Sequence, residues 1–160
     1  MQSKLHAPSE ENQFRLDLIE SISRSYLHWT GNAIIKGSEP DGNRLAKRLY
    51  LAEFVLAAHQ QSADPIFYYA NQTAQRLFEL SLAKFISLSS RFSAEQSETE
   101  HRQEMLDSVL RYGYINNYTG MRKSSTGRKF NILDAELWNV LNEKGVVYGQ
   151  AVKFKYWQFL

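Results

Sequence analysis

DPIFYYANQTAQRLFEL, residues 64–80, decides how the rest of the chain is read. Asp64-Pro65 marks a turn. Ile66, Phe67, Tyr68 and Tyr69 follow, and a β-branched and aromatic run of this kind favours a strand. The strand ends at Asn71. QTAQRLF then has helical character, so Asn71 stands where a side-chain oxygen can cap the first free amides of a helix.

Upstream, EFVLAAHQ (53–60) either extends a short helix carrying Leu45 and Leu49 or forms a strand, and periodicity leaves both open. KGSEPDGN (36–43) is loop chemistry. A first helix opens at Pro8 and Ser9, with Glu10 and Glu11 in its first turn. Phe14, Leu18, Ile22 and Tyr26, with Ile19 beside them, give it one apolar stripe, and Gly31 stops it. That stripe either covers the sheet of its own domain or meets a second subunit. Trp29, Ile34 and Ile35 add apolar surface to either arrangement.

Downstream, SLAKF starts a short helix at Ser81. Ser97-Glu98-Thr99-Glu100 is a capping box ahead of an apolar face of Met105, Leu106, Val109 and Leu110, and Gly113 is the stop. After Gly113 the period shifts toward two. YINNYTGMR, GRKFNILDAELWNVL and VVYGQAVKFKYW are three strand candidates separated by SSTG and NEKG turns, which predicts an antiparallel meander. Two strands before the helices and three after them predict an α+β domain. Its five-stranded antiparallel sheet carries helices on one face and is preceded by N-terminal helices.

DPIFYYANQTAQRLFEL, the hairpin YTGMRKSSTGRKF and LWNVLNEKGVVYGQAVKF together resemble a PAS domain. With the LSSRFSAE run at 88–95 and the GYIN stretch before the hairpin, the pattern is similar to the MEKHLA family. This PAS-like group occurs as stand-alone bacterial proteins and at the C-terminus of plant homeodomain-leucine-zipper proteins. The resemblance implies that EFVLAAH is the first strand. It divides the chain into helices over 1–52 and a PAS-like domain over 53–160, of the stand-alone type. It implies a sensory or regulatory module that binds a small ligand, a partner protein or both, and signals through helix or dimer packing. Two rival readings stand beside it: an interaction module with a filled core, and a small enzyme using the PAS-like cavity.

The candidate pocket consists of Phe67, Tyr69, Phe78, Leu106, Val109 and Trp138, with Gln150 as the polar group that could orient a ligand. Asn71 and Gly127 are expected to be structural, Gly127 because a tight hairpin needs its backbone freedom. TGMRKSSTGRKF (119–130) has the vocabulary of a phosphate cradle but lacks the glycine spacing and the Gly-Lys-Ser/Thr order of a P-loop. It is therefore read as a turn, with Arg122, Lys123, Arg128 and Lys129 as edge charges.

Catalytic and metal chemistry is thin. The chain has no cysteine, which excludes disulfides, thiolate metal sites and the cysteinyl adduct of light-oxygen-voltage photochemistry. His6, His28, His59 and His101 include no pair at helical ligand spacing. His101, in the first turn of its helix, is the one position a haem-binding relative would use, and it is badly placed, so haem is not expected. His59 is assigned a structural hydrogen bond. Asp134 and Glu136 would share a strand face, as solvent-facing residues or as an acid or cation site. No catalytic residue is assigned.

A formal charge of +2 is too small to argue for nucleic acid. No apolar run is long enough to span a membrane, and MQSKLHAPSEENQF lacks a signal-peptide core, so a cytoplasmic protein is expected. The expected partners are a small-molecule ligand and a second copy met through the N-terminal helix.

Overall fold

The computed structural model describes residues 7–38, 42–90 and 98–160. A 3₁₀ segment, Glu10–Arg15, leads into α1, Leu16–Thr30. Then come α2 (Asn43–Tyr50), β1 (Val55–Gln60), β2 (Phe67–Ala70), α3 (Gln72–Phe78), α4 (Leu82–Phe85) and α5 (Thr99–Tyr112). The chain closes with β3 (Tyr114–Lys123), β4 (Lys129–Leu141), β5 (Val147–Phe154) and β6 (Tyr156–Phe159). His6, Ser97 of the capping box and most of the 88–95 run lie outside the described residues.

The sheet runs β2-β1-β5-β4-β3 with every neighbour antiparallel. The last expected strand is broken at Lys155. β5 pairs with Glu136 to Leu141 of β4, and β6 pairs with Phe130 to Leu133 on the same side. β6 therefore continues the fifth strand after a bend. The bend matches a kink in β4, where Asp134 takes a left-handed φ of 53°. Opposite it, β3 shifts register between Ile115 and Tyr118, around Asn117 at φ 55°. Bulges of this kind curve a sheet and re-aim its side chains.

α1 starts later than Pro8-Ser9. Gln13, Phe14 and Arg15 all have positive φ and interrupt the helix. The Asn12 carboxamide organises that turn, accepting from Ser9 N at 2.9 Å and Arg15 N at 3.2 Å. Gly31, at φ 74°, ends α1 by donating its N–H to Leu27 O. EFVLAAH is strand, and the junction at Asn71 shows why it pairs with DPIFYYAN. Asn71 is fully buried. Its Oδ1 accepts from Ala74 N, capping α3, and from Leu56 N of β1, both at 3.1 Å. Its Nδ2 donates to Leu49 O and Phe54 O. One side chain thus joins α2, β1 and α3.

Both faces of the sheet are covered. On one, α3, α4 and α5 enclose a core with edge-to-face rings: Phe67 on Phe85 at 4.8 Å, Phe85 on Phe78 at 5.6 Å, and Phe78 on Phe130 at 5.3 Å. On the other, Ile19, Ile22 and Tyr26 of α1 and Leu45 and Leu49 of α2 pack over Leu56, Tyr69, Trp138 and Val140. The stripe of α1 is buried against its own sheet. Polar contacts fix its position. Trp138 Nε1 donates to Ile22 O, Trp29 Nε1 to Asn139 O, and Leu141 N to Ser25 Oγ.

Candidate functional site

Between the sheet and helices α3–α5 lies a cavity of about 50 Å³. Of the residues nominated from the sequence, Phe67, Phe78, Leu106 and Gln150 line it. Val109 is buried in the surrounding core without lining the cavity. Tyr69 and Trp138 must be reassigned, because both face α1 and α2. Bulges are the reason. In β2, Tyr69 pairs with Ala58 and Phe67 with His59, so Tyr68 is the extra residue and Phe67 and Tyr69 point to opposite faces. In β4 the kink at Asp134 inverts the alternation. Phe130, Ile132, Ala135 and Leu137 then share the cavity side while Trp138 points away.

The polar lining was largely missed. His59, Ser90, Arg102, Tyr118 and Arg122 all reach the cavity. Arg122 is not an edge charge: it is 6% exposed, as is Arg102. Both positions follow from simple periods. Arg102 stands three, four and seven residues before Met105, Leu106 and Val109 on the buried face of α5. Arg122 follows Tyr118 and Gly120 at every second position of β3, on its buried face.

Arg102 Nη2 donates to Ser90 Oγ. Arg122 donates from Nη1 to Met121 O at 2.8 Å and from Nη2 to Tyr118 Oη at 3.0 Å. Burial, and after it the charge of Arg122, lowers the Arg102 guanidinium to about 10, so it stays cationic at neutral pH. His59 is different. Burial pulls its imidazole down to about 4, against a hydrogen bond between Nδ1 and Gln60 O at 3.0 Å. A neutral ring with Nδ1–H donating to that carbonyl fits both facts. Gln150 Nε2 donates to Leu106 O and Asn139 Oδ1, tying the cavity wall to α5.

The hairpin at 119–130 is a turn. Gly127, at φ 88°, donates to Ser124 O. Two of its hydroxyls are occupied by a carboxylate, Ser124 Oγ donating to Glu79 Oε2 at 2.6 Å and Thr126 Oγ1 to the same oxygen, while Ser125 donates from Oγ to Glu79 O and from N to Phe78 O. The Ser124 bond, then that of Thr126, holds the Glu79 carboxyl below its usual range. Asp134 and Glu136 do not act together. Asp134 is exposed, whereas Glu136 Oε1 accepts from Tyr26 and Tyr114, each at 2.7 Å, and Oε2 pairs with Lys153 at 3.5 Å. His101 is exposed and stacks on Tyr118 outside the cavity. Among the described residues no group of three or more His, Asp or Glu is placed to hold a metal, and no helix is long and apolar enough to cross a membrane.

The MEKHLA domain family model matches residues 16–159, from the start of α1 through β6. The chain belongs to the MEKHLA domain family. The homeobox-leucine zipper protein ATHB-14 of Arabidopsis thaliana is 26% identical over 148 residues, covering 91% of this chain and 17% of that protein. Homeobox-leucine zipper protein HOX9 of Oryza sativa is 24% identical over 139 residues, 87% of this chain and 16% of that protein. The chain thus spans less than a fifth of these relatives. Among solved structures, a PAS domain from Colwellia psychrerythraea is similar with a TM-score of 0.59 at 15% identity, covering 69% of this chain and 92% of that one. An RNA-binding light-oxygen-voltage receptor reaches 0.59 at 20% identity, over 69% of this chain and 31% of that one. These likenesses show that this MEKHLA domain has a PAS fold.

Light-oxygen-voltage neighbours raise the question of a flavin. The residues present do not fit one. The MEKHLA cavity is smaller than the roughly 150 Å³ that accommodates benzene. Two arginines, Arg102 and Arg122, line it, and the chain has no cysteine for the adduct. Haem, larger still, does not fit that volume either.

Proposed function

We propose that this MEKHLA domain is a non-catalytic sensory module that binds a small ligand in the cavity and reports it through α1. The PAS-like unit of this reading is 53–160, with 1–52 supplying the reporting helices. The observation that carries it is a shared strand. Within β4, Leu137 lines the cavity and the adjacent Trp138 holds α1 by its indole N–H. A ligand that moves β4 would therefore act on the seat of α1. The same stretch of β4 also binds α1 through Asn139 O and Leu141 N. Signalling of this kind requires the ligand to favour one seating of the helix over the other. The stripe of α1 is covered by its own sheet, so the reading routes the signal within one chain. A mixed lining of aromatic walls and a few convergent polar groups is usual for a ligand site.

The test is a fragment titration followed by amide NMR. Fragments small enough for the cavity should shift the amides of β1, β4, β5 and α5 that surround it, and also those of α1 across the sheet. Shifts confined to the protein surface would contradict the cavity as a ligand site. Shifts that stop at the cavity would contradict α1 as the reporter.

A further inference from the structure

The cavity reading leaves one feature unexplained: two buried cations share it. Arg102 and Arg122 are each 6% exposed, and among the described residues no acidic side chain lines the cavity. Among the described residues neither forms an ion pair. The field of Asp64 favours the charge on Arg102, but Asp64 Oδ1 accepts from Ser89 Oγ and does not line the cavity. His59, neutral there, adds no charge of either sign. Removing charged groups from water costs free energy unless a counter-charge is supplied. Each guanidinium has five N–H donors. Arg102 uses one on Ser90, and Arg122 uses two on Met121 and Tyr118. Because Tyr118 accepts the Arg122 bond, its own hydroxyl proton is left to donate.

We infer that the missing counter-charge is the ligand itself: a small carboxylate whose head lies between Arg102 and Arg122 and whose short apolar tail meets Phe67, Phe78 and Leu106. The planar fork of arginine suits a carboxylate, which accepts two parallel bonds. The size follows from the space. A cavity of about 50 Å³, a third of the roughly 150 Å³ that holds benzene, takes about two to three heavy atoms as it stands, so the carboxylate head fills it and only a short tail enters, as Phe67, Phe78 and Leu106 yield. So few contacts set the affinity at about the millimolar range. This inference rests on the cavity being a ligand site, and it adds the sign and size of the ligand.

The experiment titrates the whole chain with propionate, with propionamide as its neutral isostere and with propylamine as a cation, following cavity amides by NMR. The variants are Arg122→Gln and Arg102→Met, with Arg122→Lys keeping the charge. Propionate should bind, and propionamide should bind at least about tenfold more weakly, since a charge-assisted bond is lost. Arg122→Gln should weaken propionate by about 10- to 100-fold, and Arg122→Lys should recover part of that. The ligand-free Arg102→Met protein should melt at or above the parent temperature, because a repulsive buried charge is gone, and should lose the stabilisation that propionate confers. This readout keeps the test valid if one variant folds poorly. Equal binding of propionate and propionamide, or propionate affinity unchanged in folded Arg122→Gln, overturns the carboxylate assignment and leaves the sensor reading standing. No binding of any of the three probes, at concentrations well above millimolar, overturns both.

Discussion

Trp138 donates its indole N–H to the carbonyl of Ile22 across 3.1 Å, from the centre of the sheet into the body of α1. The adjacent residue is tied in the opposite sense, since Trp29 of α1 donates to Asn139 O at 2.9 Å. Two indoles therefore bolt the helix to one strand. Trp138→Phe removes one bolt and part of a fully buried ring. It should cost about 2–4 kcal/mol by chemical denaturation. Amide exchange should accelerate first in α1 rather than in α5.

Gly113 is where α5 passes into β3, and it lies under Trp29. It has φ 87°, and a Cβ there would run into the six-membered ring of Trp29. Gly113→Ala should destabilise by about 2 kcal/mol or more, through backbone strain and displacement of the indole. Denaturant midpoints measure the loss. A blue or red shift of tryptophan emission shows whether Trp29 has moved.

Asn71 has no spare capacity. Its four hydrogen bonds join α2, β1 and α3 at a fully buried point. Asn71→Ala should cost about 3–5 kcal/mol, because it strands two buried carbonyls and two amides. Asn71→Asp should be nearly as damaging, since a carboxylate cannot donate to Leu49 O and Phe54 O. Thermal melts of both variants against the parent check this.

Tyr69 behaves oppositely. Its hydroxyl is buried without a hydrogen-bond partner in the described structure, and burial raises its pKa well above the ordinary value. Tyr69→Phe should leave stability unchanged or raise it by up to about 1 kcal/mol. A loss of more than about 1 kcal/mol in denaturant unfolding would contradict the account of that face.

His59 gives the fold a pH dependence of predictable sign. Its folded pKa, about 4, lies below the ordinary 6.5. Between these values the unfolded chain binds a proton that the folded chain does not. Stability therefore falls as pH drops from 6.5 toward 4 and is unaffected by this group above 6.5. From pH 7 to pH 5 the loss is about 2 kcal/mol. His59→Asn should flatten that part of the stability profile, measured as the difference between variant and parent so that other groups cancel.

The sequence was most legible where local chemistry and fold agree. Asn71 reads as a cap because the strand before it and the helix after it are both short and well punctuated. Gly31, Gly113 and Gly127 mark their turns for the same reason. The register of the sheet was less legible. A bulge at Tyr68 and another at Asp134 invert which residues face the cavity, and neither is signalled by composition. Tyr69 and Trp138 were misplaced on that account. Arg102 and Arg122 were in principle readable from the helical and two-residue periods that fix their neighbours. They were overlooked because charged residues on such faces are ordinarily at the rim, and only the packing of α5 over β3 shows them to be enclosed.

The central claim is that occupancy of the cavity is felt by α1 through β4. Hydrogen exchange of the full chain, with and without saturating propionate, tests it most directly. The account predicts that protection changes at the cavity and also in α1, and that Trp138→Phe reduces the change in α1 while leaving that at the cavity. Protection that changes around the cavity alone in the parent protein, with α1 unmoved, would contradict it.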